Sequence, residues 1–231
     1  MPTNTPVPTA TNTPTPTNTP APTDLIFADG FESGNLSAWS SSRTDGGDLS
    51  VSTAAALIGG KGLQAVIDDN NTLYVTDDRP NAEPRYRARF YFDPNSISMV
   101  SGNAHHFFYG FSSTSTSLLM VEFRKSSGNY QLRTQLLNDG ATWKNTSWFT
   151  ISDGPHAIEL DWRAATAAGA NNGGLTLWID GVQQANLTGV DNDTRRIERV
   201  RLGAVSGIDT GTRGTYYFDA FESRRQTYIG P

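Results

Sequence analysis

The sequence predicts an all-β protein, an antiparallel two-sheet sandwich preceded by an extended polyproline II tail. After residue 23 the chain consists of short runs in which apolar and polar residues alternate, as they do in strands with one buried and one wet face. Clusters of Gly, Asn, Asp and Ser separate these runs at the spacing that is typical of sandwiches and barrels. No window of eleven residues shows a helical period of 3.6.

The N-terminal segment 1–23 is a Thr/Pro-rich tail or linker, and residues 24–231 form the predicted sandwich domain. Residues 2–23 hold seven of the twelve prolines and nine threonines, with no aromatic and no charged residue. Proline fixes φ and forces the preceding residue into extended conformations, so this composition favours polyproline II. At about 3.1 Å per residue, the tail would reach roughly 70 Å.

Two interpretations of the tail stay open: a spacer, or a segment that is ordered by neighbouring subunits or by glycans. Ser/Thr-plus-Pro composition is typical of O-glycosylated stalks. The threonines predicted to carry O-linked sugar are Thr3, Thr5, Thr9, Thr11, Thr13, Thr15, Thr17 and Thr19.

Seven strands stand out in the body of the chain. They are predicted at 85–92, 118–125, 130–137, 157–162, 175–179, 200–205 and 215–221. Asp180-Gly181 in "WIDGVQ" is the strongest short hairpin signal, and "KSSGNY" is a second hairpin turn.

Two stretches at opposite ends of the domain look alike, "FADGFESG" (27–34) and "YFDAFES" (217–223). We expect both to be strands of the same sheet that meet where the chain enters and leaves the domain. Phe27 and Phe31 would then pack inward near Phe218 and Phe221.

The stretches "DGFESGNLSAWS", "GPHAIELDW", "LTLWIDGV" and "VRLGAVSG…GTYYFDAF" together resemble bacterial laminin-G-like domains of the concanavalin A-like jelly-roll superfamily. The resemblance covers about 200 residues, Asp24 to Ile229, and its most specific parts are "WIDG" and "YFDAF". It implies a jelly roll of two curved sheets, often with glycan binding or adhesion, and sometimes a structural calcium ion. It implies no single activity, because function depends on sites and not on folds.

A calcium site is expected where the two similar stretches meet. If these strands are neighbours, carboxylate oxygens converge, and calcium prefers such hard oxygen ligands. The alternative is that these acidic residues cap strand ends in water. The expected ligands are Asp29, Glu32, Asp219 and Glu222.

The strand "RYRARFYF" presents three arginines at spacing two on one face. With outward polar residues from strands expected beside it, it predicts a groove for sugar hydroxyls or acidic glycans. The alternative is a cross-strand ladder of Arg and Glu that solvates a sheet face. The predicted glycan-binding residues are Arg85, Arg87, Arg89, Tyr91, Arg124, Arg133 and Trp148.

Several functional classes have little support in the sequence. Net charge is −5 without a basic run, so nucleic acid is not an expected partner, and no apolar stretch is long enough to span a membrane. The absence of cysteine excludes disulfides and a Cys nucleophile.

Catalysis is not expected either. β-Glucanases of the superfamily carry a Glu-x-Asp-x-x-Glu strand, and here Ala164 follows Glu159 and Asp161 where the second Glu should stand. Glu159 and Asp161 are therefore expected on a solvated strand face. His105 and His106 point to opposite faces, and no Ser-His arrangement is expected.

The sequence thus predicts a non-enzymatic, secreted or cell-surface structural subunit, whose tail assembles neighbouring copies into a glycosylated fibre. The alternative is a carbohydrate-binding, adhesion-type module on a spacer.

Overall fold

A computed structural model describes residue 1 and residues 23–231, in which seventeen strands form two antiparallel sheets. The helices described are two 3-10 turns, Asp45–Gly47 and Thr53–Ala55, and no helix in this part of the chain could cross a membrane. The strands are β1 (Leu25–Asp29), β2 (Ser41–Arg43), β3 (Leu49–Ser52), β4 (Gly62–Ile67), β5 (Leu73–Asp77), β6 (Arg85–Asp93), β7 (Ser98–Met99), β8 (Ala104–Phe111), β9 (Ser117–Ser126), β10 (Asn129–Leu137), β11 (Trp143–Asn145), β12 (Phe149–Ile151), β13 (His156–Arg163), β14 (Gly173–Ile179), β15 (Val182–Val190), β16 (Arg199–Ser206) and β17 (Thr212–Arg224).

Sheet 1 has the strand order β15-β14-β13-β6-β17-β4-β3, and β1 and β7 also pair with β17. Sheet 2 has the order β11-β10-β9-β8-β16-β5-β2, and β12 also pairs with β10. Neighbours that are distant in sequence, such as β6 and β17, make this a jelly-roll sandwich. The predicted fold class is confirmed, apart from the tail, which lies outside the described residues.

All seven predicted strands are present, as β6, β9, β10, β13, β14, β16 and β17. Both predicted hairpins are present as well. Asp180 and Gly181 have φ values of 53° and 75°, and Ser127 and Gly128 have values of 50° and 82°. Positive φ at both central residues is what a type I′ turn requires, and its twist matches that of the flanking strands.

The two similar end stretches meet in sheet 1, as expected. β1 pairs antiparallel with β17, so that Phe27 lies opposite Ser223 and Asp29 opposite Phe221. The Phe27 and Phe221 ring centroids are 6.0 Å apart, whereas Phe31 stacks on Trp39 at 6.0 Å. The chain therefore enters and leaves the domain along the same pair of strands.

The core lies between the sheets and is rich in aromatic rings. Phe92 stacks on Phe107 at 4.7 Å, and Phe90 stacks on Phe108 at 5.5 Å, which joins β6 of sheet 1 to β8 of sheet 2. Because successive side chains of a strand point to opposite faces, this packing determines which residues lie on the outer faces.

Candidate ligand-binding face of sheet 2

The three arginines of β6 lie on the outer face of sheet 1 and are ion-paired. Arg85 donates two hydrogen bonds of 2.8 Å to Asp161, and Arg87 donates to both Glu159 and Asp161 at 3.0 Å. The Arg89 guanidinium lies 3.4 Å from a carboxylate oxygen of Glu222 on β17. This geometry matches the ladder alternative, and binding of glycan by these arginines stays an untested prediction.

Glu159 and Asp161 are not solvated, and this expectation was wrong. They are 3% and 1% exposed because the segment after β17 crosses the outer face of sheet 1. The main-chain N–H groups of Ile229 and Gly230 donate to the Glu159 carboxylate at 3.0 and 2.8 Å. Arg87 Nε donates to the Gln226 carbonyl at 2.8 Å, so the ion pairs also anchor this segment.

The other predicted glycan-binding residues lie on a different sheet. Arg124 and Arg133 are on β9 and β10 and Trp148 precedes β12, all in sheet 2, whereas Tyr91 stays with the arginines on β6 in sheet 1. The single groove expected from the sequence does not form, because β9 pairs with β8 and β10, and neither β9 nor β10 pairs with β6.

Outward residues of sheet 2 align in rows across its strands. One row joins Ser206, His106, Glu122 and Arg133, and four adjacent strands span roughly 15 Å. The outward polar and aromatic residues of this region are named the sheet 2 face: His106, Tyr109, Glu122, Arg124, Gln131, Arg133, Gln135, Trp148, Arg201 and Ser206.

Hydrogen bonds hold the middle of the sheet 2 face in place. Tyr109 and Ser206 hydroxyls are 2.7 Å apart, and Ser206 Oγ lies 3.3 Å from His106 Nδ1. His106 Nε2 lies 3.2 Å from the Gln135 side-chain oxygen, and Gln135 donates to Asn145 at 3.1 Å. These groups can exchange hydrogen bonds with a hydroxyl-rich ligand without first reorganising.

Burial sets the charge of this network. Burial lowers the pKa of His106, although the nearby Glu122 carboxylate acts in the opposite direction. Burial also raises the pKa of the Tyr109 phenol. Both shifts favour neutral side chains at neutral pH. The net charge of the sheet 2 face therefore comes from its arginines and Glu122.

Two arginines of the sheet 2 face form no ion pair with the residues of 23–231. The Arg124 guanidinium carbon lies 3.9 Å from the centre of the Trp148 ring, and its Nε donates to Gln131 at 2.9 Å. Arg201 lies 4.3 Å over the Tyr74 ring. Arg133, by contrast, donates to Glu122 at 2.6 Å. Arg124 and Arg201 thus carry uncompensated positive charge.

The four carboxylates expected to bind calcium do not form one cluster within 23–231. Each of them instead accepts hydrogen bonds from protein groups. Asp29 accepts from Phe31 and Trp39, Glu32 from Gly60 and Lys61, Asp219 from Leu57 and Ile58, and Glu222 from Arg89 and Arg224. Burial raises the pKa of Asp219. Within 23–231 the acidic residues close enough to share an ion are Asp139, Asp191 and Asp193. Calcium at the chain ends stays a prediction.

Ser152, His156 and Asp180 form a hydrogen-bonded chain that the sequence analysis did not anticipate. Ser152 Oγ lies 2.9 Å from His156 Nε2, and His156 Nδ1 lies 2.7 Å from Asp180. This is the order of nucleophile, base and carboxylate in a serine hydrolase. However, Nε2 also accepts the Ser152 main-chain N–H at 3.1 Å, and Asp180 accepts the Ala157 N–H at 2.9 Å. We interpret the chain as a tie between the turn before β13 and the β14–β15 hairpin.

The predictions of O-glycosylation at Thr3 to Thr19 and of assembly through the tail lie outside the described residues. Of the sheet 2 face, sequence reasoning missed His106, Tyr109, Arg201 and Ser206 as site residues. His106 and Tyr109 are polar residues of β8, and Arg201 and Ser206 are polar residues of β16. Irregular register between His106 and Phe108, and between Leu202 and Ser206, breaks the alternation that would have indicated them.

Comparison with known proteins supports the fold. Neither protein-family models nor curated proteins gave a significant match. Among solved structures, the globular domain of T. cruzi calreticulin is similar, with a TM-score of 0.60 and 11% identity over 88% of each chain. Alginate lyase vAL-1 from a Chlorella virus has a TM-score of 0.53 and 14% identity, covering 88% of this chain and 100% of that one.

The binding domain of botulinum neurotoxin serotype D is also similar, with a TM-score of 0.54 and 11% identity. The match covers 78% of this chain, which spans only 42% of the toxin domain. At these identities the likeness shows the concanavalin A-like jelly-roll fold alone.

Proposed function

We propose that this domain binds an acidic polysaccharide across the sheet 2 face. The observation that carries the proposal is the state of Arg124. Its guanidinium is positioned by Gln131 and the Trp148 ring, yet it has no carboxylate partner among residues 23–231. A guanidinium donates two parallel hydrogen bonds to a carboxylate or sulfate group, so an acidic sugar supplies the missing partner.

The surroundings of Arg124 suit a polysaccharide. Trp148 is partly exposed and offers an aromatic surface, and its ring also lies 4.5 Å from the Arg133 guanidinium carbon. The Gln135 amide, the Ser206 hydroxyl and the His106 ring supply donors and acceptors for sugar hydroxyls. Arg201 on β16 adds a second positive charge two strands away from Arg124 on β9, which favours a chain of sugars over a single one.

Calorimetric titration tests this proposal. We expect a polyuronate to bind more tightly than a neutral β-glucan of matched length, and added salt to weaken the binding. Arg124→Gln should reduce polyuronate affinity roughly tenfold to a hundredfold, since hydrogen bonds to charged groups contribute about 1.5–3 kcal/mol. Lys61→Gln removes the same charge outside the sheet 2 face and should bind normally. Equal affinity for the two polymers, or equal losses in the two variants, would contradict the proposal.

We also propose that the domain is not an enzyme and acts outside the cell. The ion-paired carboxylates of sheet 1 are buried, and the Ser152–His156–Asp180 chain is engaged with the main chain. Abundant Thr, Ser, Asn and Gly, few Lys and no Cys are consistent with an exported protein. Detection of the chain only in a cytoplasmic fraction of its source would contradict this location.

A structural subunit is the second proposal, and it depends on the composition of the Thr/Pro tail. In this proposal residues 2–23 contact neighbouring copies and carry O-linked sugar, and head-to-tail contacts that do not close give open filaments. Removal of the tail tests it, as described in the Discussion.

A further inference from the structure

The outer face of sheet 1 carries an exposed aromatic patch where the segment after β17 reaches β13 and β14. The Trp178 and Tyr228 ring centroids lie 5.5 Å apart with an angle of 55° between the rings. Tyr228 is 42% exposed. Gln183, which lies opposite Trp178 in the pairing of β14 with β15, is exposed as well. A side chain at Gly181 would contact Pro231, which places that proline in the same patch. These residues, Trp178, Gly181, Tyr228 and Pro231, are named the aromatic patch, and Gln183 lies at its edge.

The aromatic patch is held rigidly from below. The Arg87 guanidinium carbon lies 5.3 Å from the Trp178 ring centre and 5.9 Å from that of Tyr228. The same guanidinium is ion-paired and binds the Gln226 carbonyl. Because Arg87 is only 6% exposed, the two rings are fixed before any ligand arrives. A preorganised surface loses little entropy on binding.

The Thr/Pro tail enters the domain beside residues 225–227, the segment that leads from β17 to this patch. The Thr23 carbonyl accepts a hydrogen bond from Arg225, and the Asp24 side chain accepts the Gln226 and Thr227 N–H groups at 2.7 and 3.2 Å. β1 and β17 are antiparallel, so the residues before β1 and those after β17 leave the sheet at the same end. Tyr228 is three residues beyond Arg225, which is at most about 11 Å of extended chain.

We propose that the Thr/Pro tail docks on the aromatic patch of its own chain, with rings of Pro16, Pro20 and Pro22 against Trp178 and Tyr228. Proline-rich segments bind aromatic-lined grooves, since a polyproline II chain is already extended. Seven residues in this conformation span about 20 Å, enough to cross the patch from Thr23. The short connection gives the tail a high effective concentration, which favours its own patch over that of another copy.

The tail also matches the patch in charge. Residues 2–23 contain no charged residue, and the carboxylates beneath the patch are already neutralised by arginines. Threonine hydroxyls between the prolines can remain in water. This inference concerns sheet 1 and does not depend on glycan binding by sheet 2.

Disulfide trapping tests the inference, because the native chain has no cysteine. The full-length double variant Asn18→Cys, Gln183→Cys places one thiol in the tail and one at the edge of the patch, opposite Trp178. We expect it to form an intramolecular disulfide at a rate independent of protein concentration. The matched control Asn18→Cys, Asn70→Cys places the second thiol beside Arg213, at the opposite end of β17. It should react roughly tenfold more slowly, because docking raises the effective concentration only at the patch.

Two further variants separate docking from simple proximity. Replacing Pro16, Pro20 and Pro22 with Ser, or Tyr228 with Ala, should slow trapping towards the control rate. Unchanged rates in both would overturn the inference. Disulfides that form only between molecules and scale with concentration would also overturn it, and would instead favour the structural-subunit proposal. The trapping result does not depend on whether the sheet 2 face binds polyuronate in the calorimetric titration.

Discussion

Arg124 and Trp148 are in direct contact on the outer face of sheet 2, with the guanidinium carbon 3.9 Å from the ring centre. Arg124 comes from β9, whereas Trp148 precedes β12, and both strands pair with β10. The contact fixes the direction of an arginine that has no acidic partner in the described part of the chain. It therefore prepares the residue for an acidic ligand.

Removal of the Trp148 ring should weaken polysaccharide binding. We expect Trp148→Ala to lower affinity for a polyuronate about fivefold to tenfold, because the ring both positions Arg124 and offers a stacking surface. Trp148→Phe keeps a smaller aromatic face and should restore part of the affinity. Isothermal titration with thermal melts as a folding control measures both. Normal binding by Trp148→Ala would remove this ring from the site.

The buried ion pairs of sheet 1 should matter for stability and not for ligand binding. Glu159→Gln removes one of the two carboxylates that pair with Arg87 under the segment after β17. Removing one partner of a buried pair costs about 3–5 kcal/mol, and the loss expected here is at or below the lower end of that range because Asp161 still pairs with Arg87. Chemical unfolding measures the change. A variant that keeps its stability but loses polyuronate binding would instead support the glycan groove expected on β6.

His105 should make the protein less stable in acid. It is 1% exposed, and burial lowers its pKa from 6.5 to about 3. Above pH 6.5 the ring is neutral in both states and contributes no pH dependence. Between these two pKa values the unfolded chain binds a proton that the folded chain does not, so stability falls as pH falls, by up to about 1.4 kcal/mol per unit.

His105→Phe removes this proton uptake and should flatten the acid limb of a stability–pH curve. Denaturant unfolding at several pH values measures the slope. The buried carboxylates are common to both proteins and cancel in the comparison. Identical slopes would mean that His105 is protonated in the folded state.

A chain that begins at Asp24 should fold as a soluble monomer. Residues 25–231 supply the hydrophobic core that the structure describes, and the Thr23 carbonyl accepts a hydrogen bond from Arg225. In the structural-subunit proposal only the full-length chain forms fibres, which sedimentation and electron microscopy can compare. Fibres of the truncated chain would assign assembly to the sandwich itself.

Polysaccharides and simple esters should not be turned over. We expect no release of reducing ends or unsaturated products from β-glucan or polyuronate, and no labelling of Ser152 by a fluorophosphonate. The physical reason is that His156 Nε2 already accepts the Ser152 main-chain N–H. Labelling that disappears in Ser152→Ala would identify a hydrolase site in the Ser152–His156–Asp180 chain.

The sequence by itself determined seven of the seventeen strands, two hairpin turns and the pairing of the chain ends. These features depend on local alternation, on turn residues such as Asp180-Gly181, and on the similarity of two short stretches. Tertiary structure alone decided which strands are neighbours. It placed β6 beside β13 and β17, and so gave Arg85 and Arg87 acidic partners, and it placed Arg124 on the other sheet. Alternation tells which face a side chain joins, but strand partners that are distant in sequence are selected by the packing of the two sheets as a whole. For the same reason, the burial of Glu159 could not be predicted, because it depends on a segment seventy residues further along the chain.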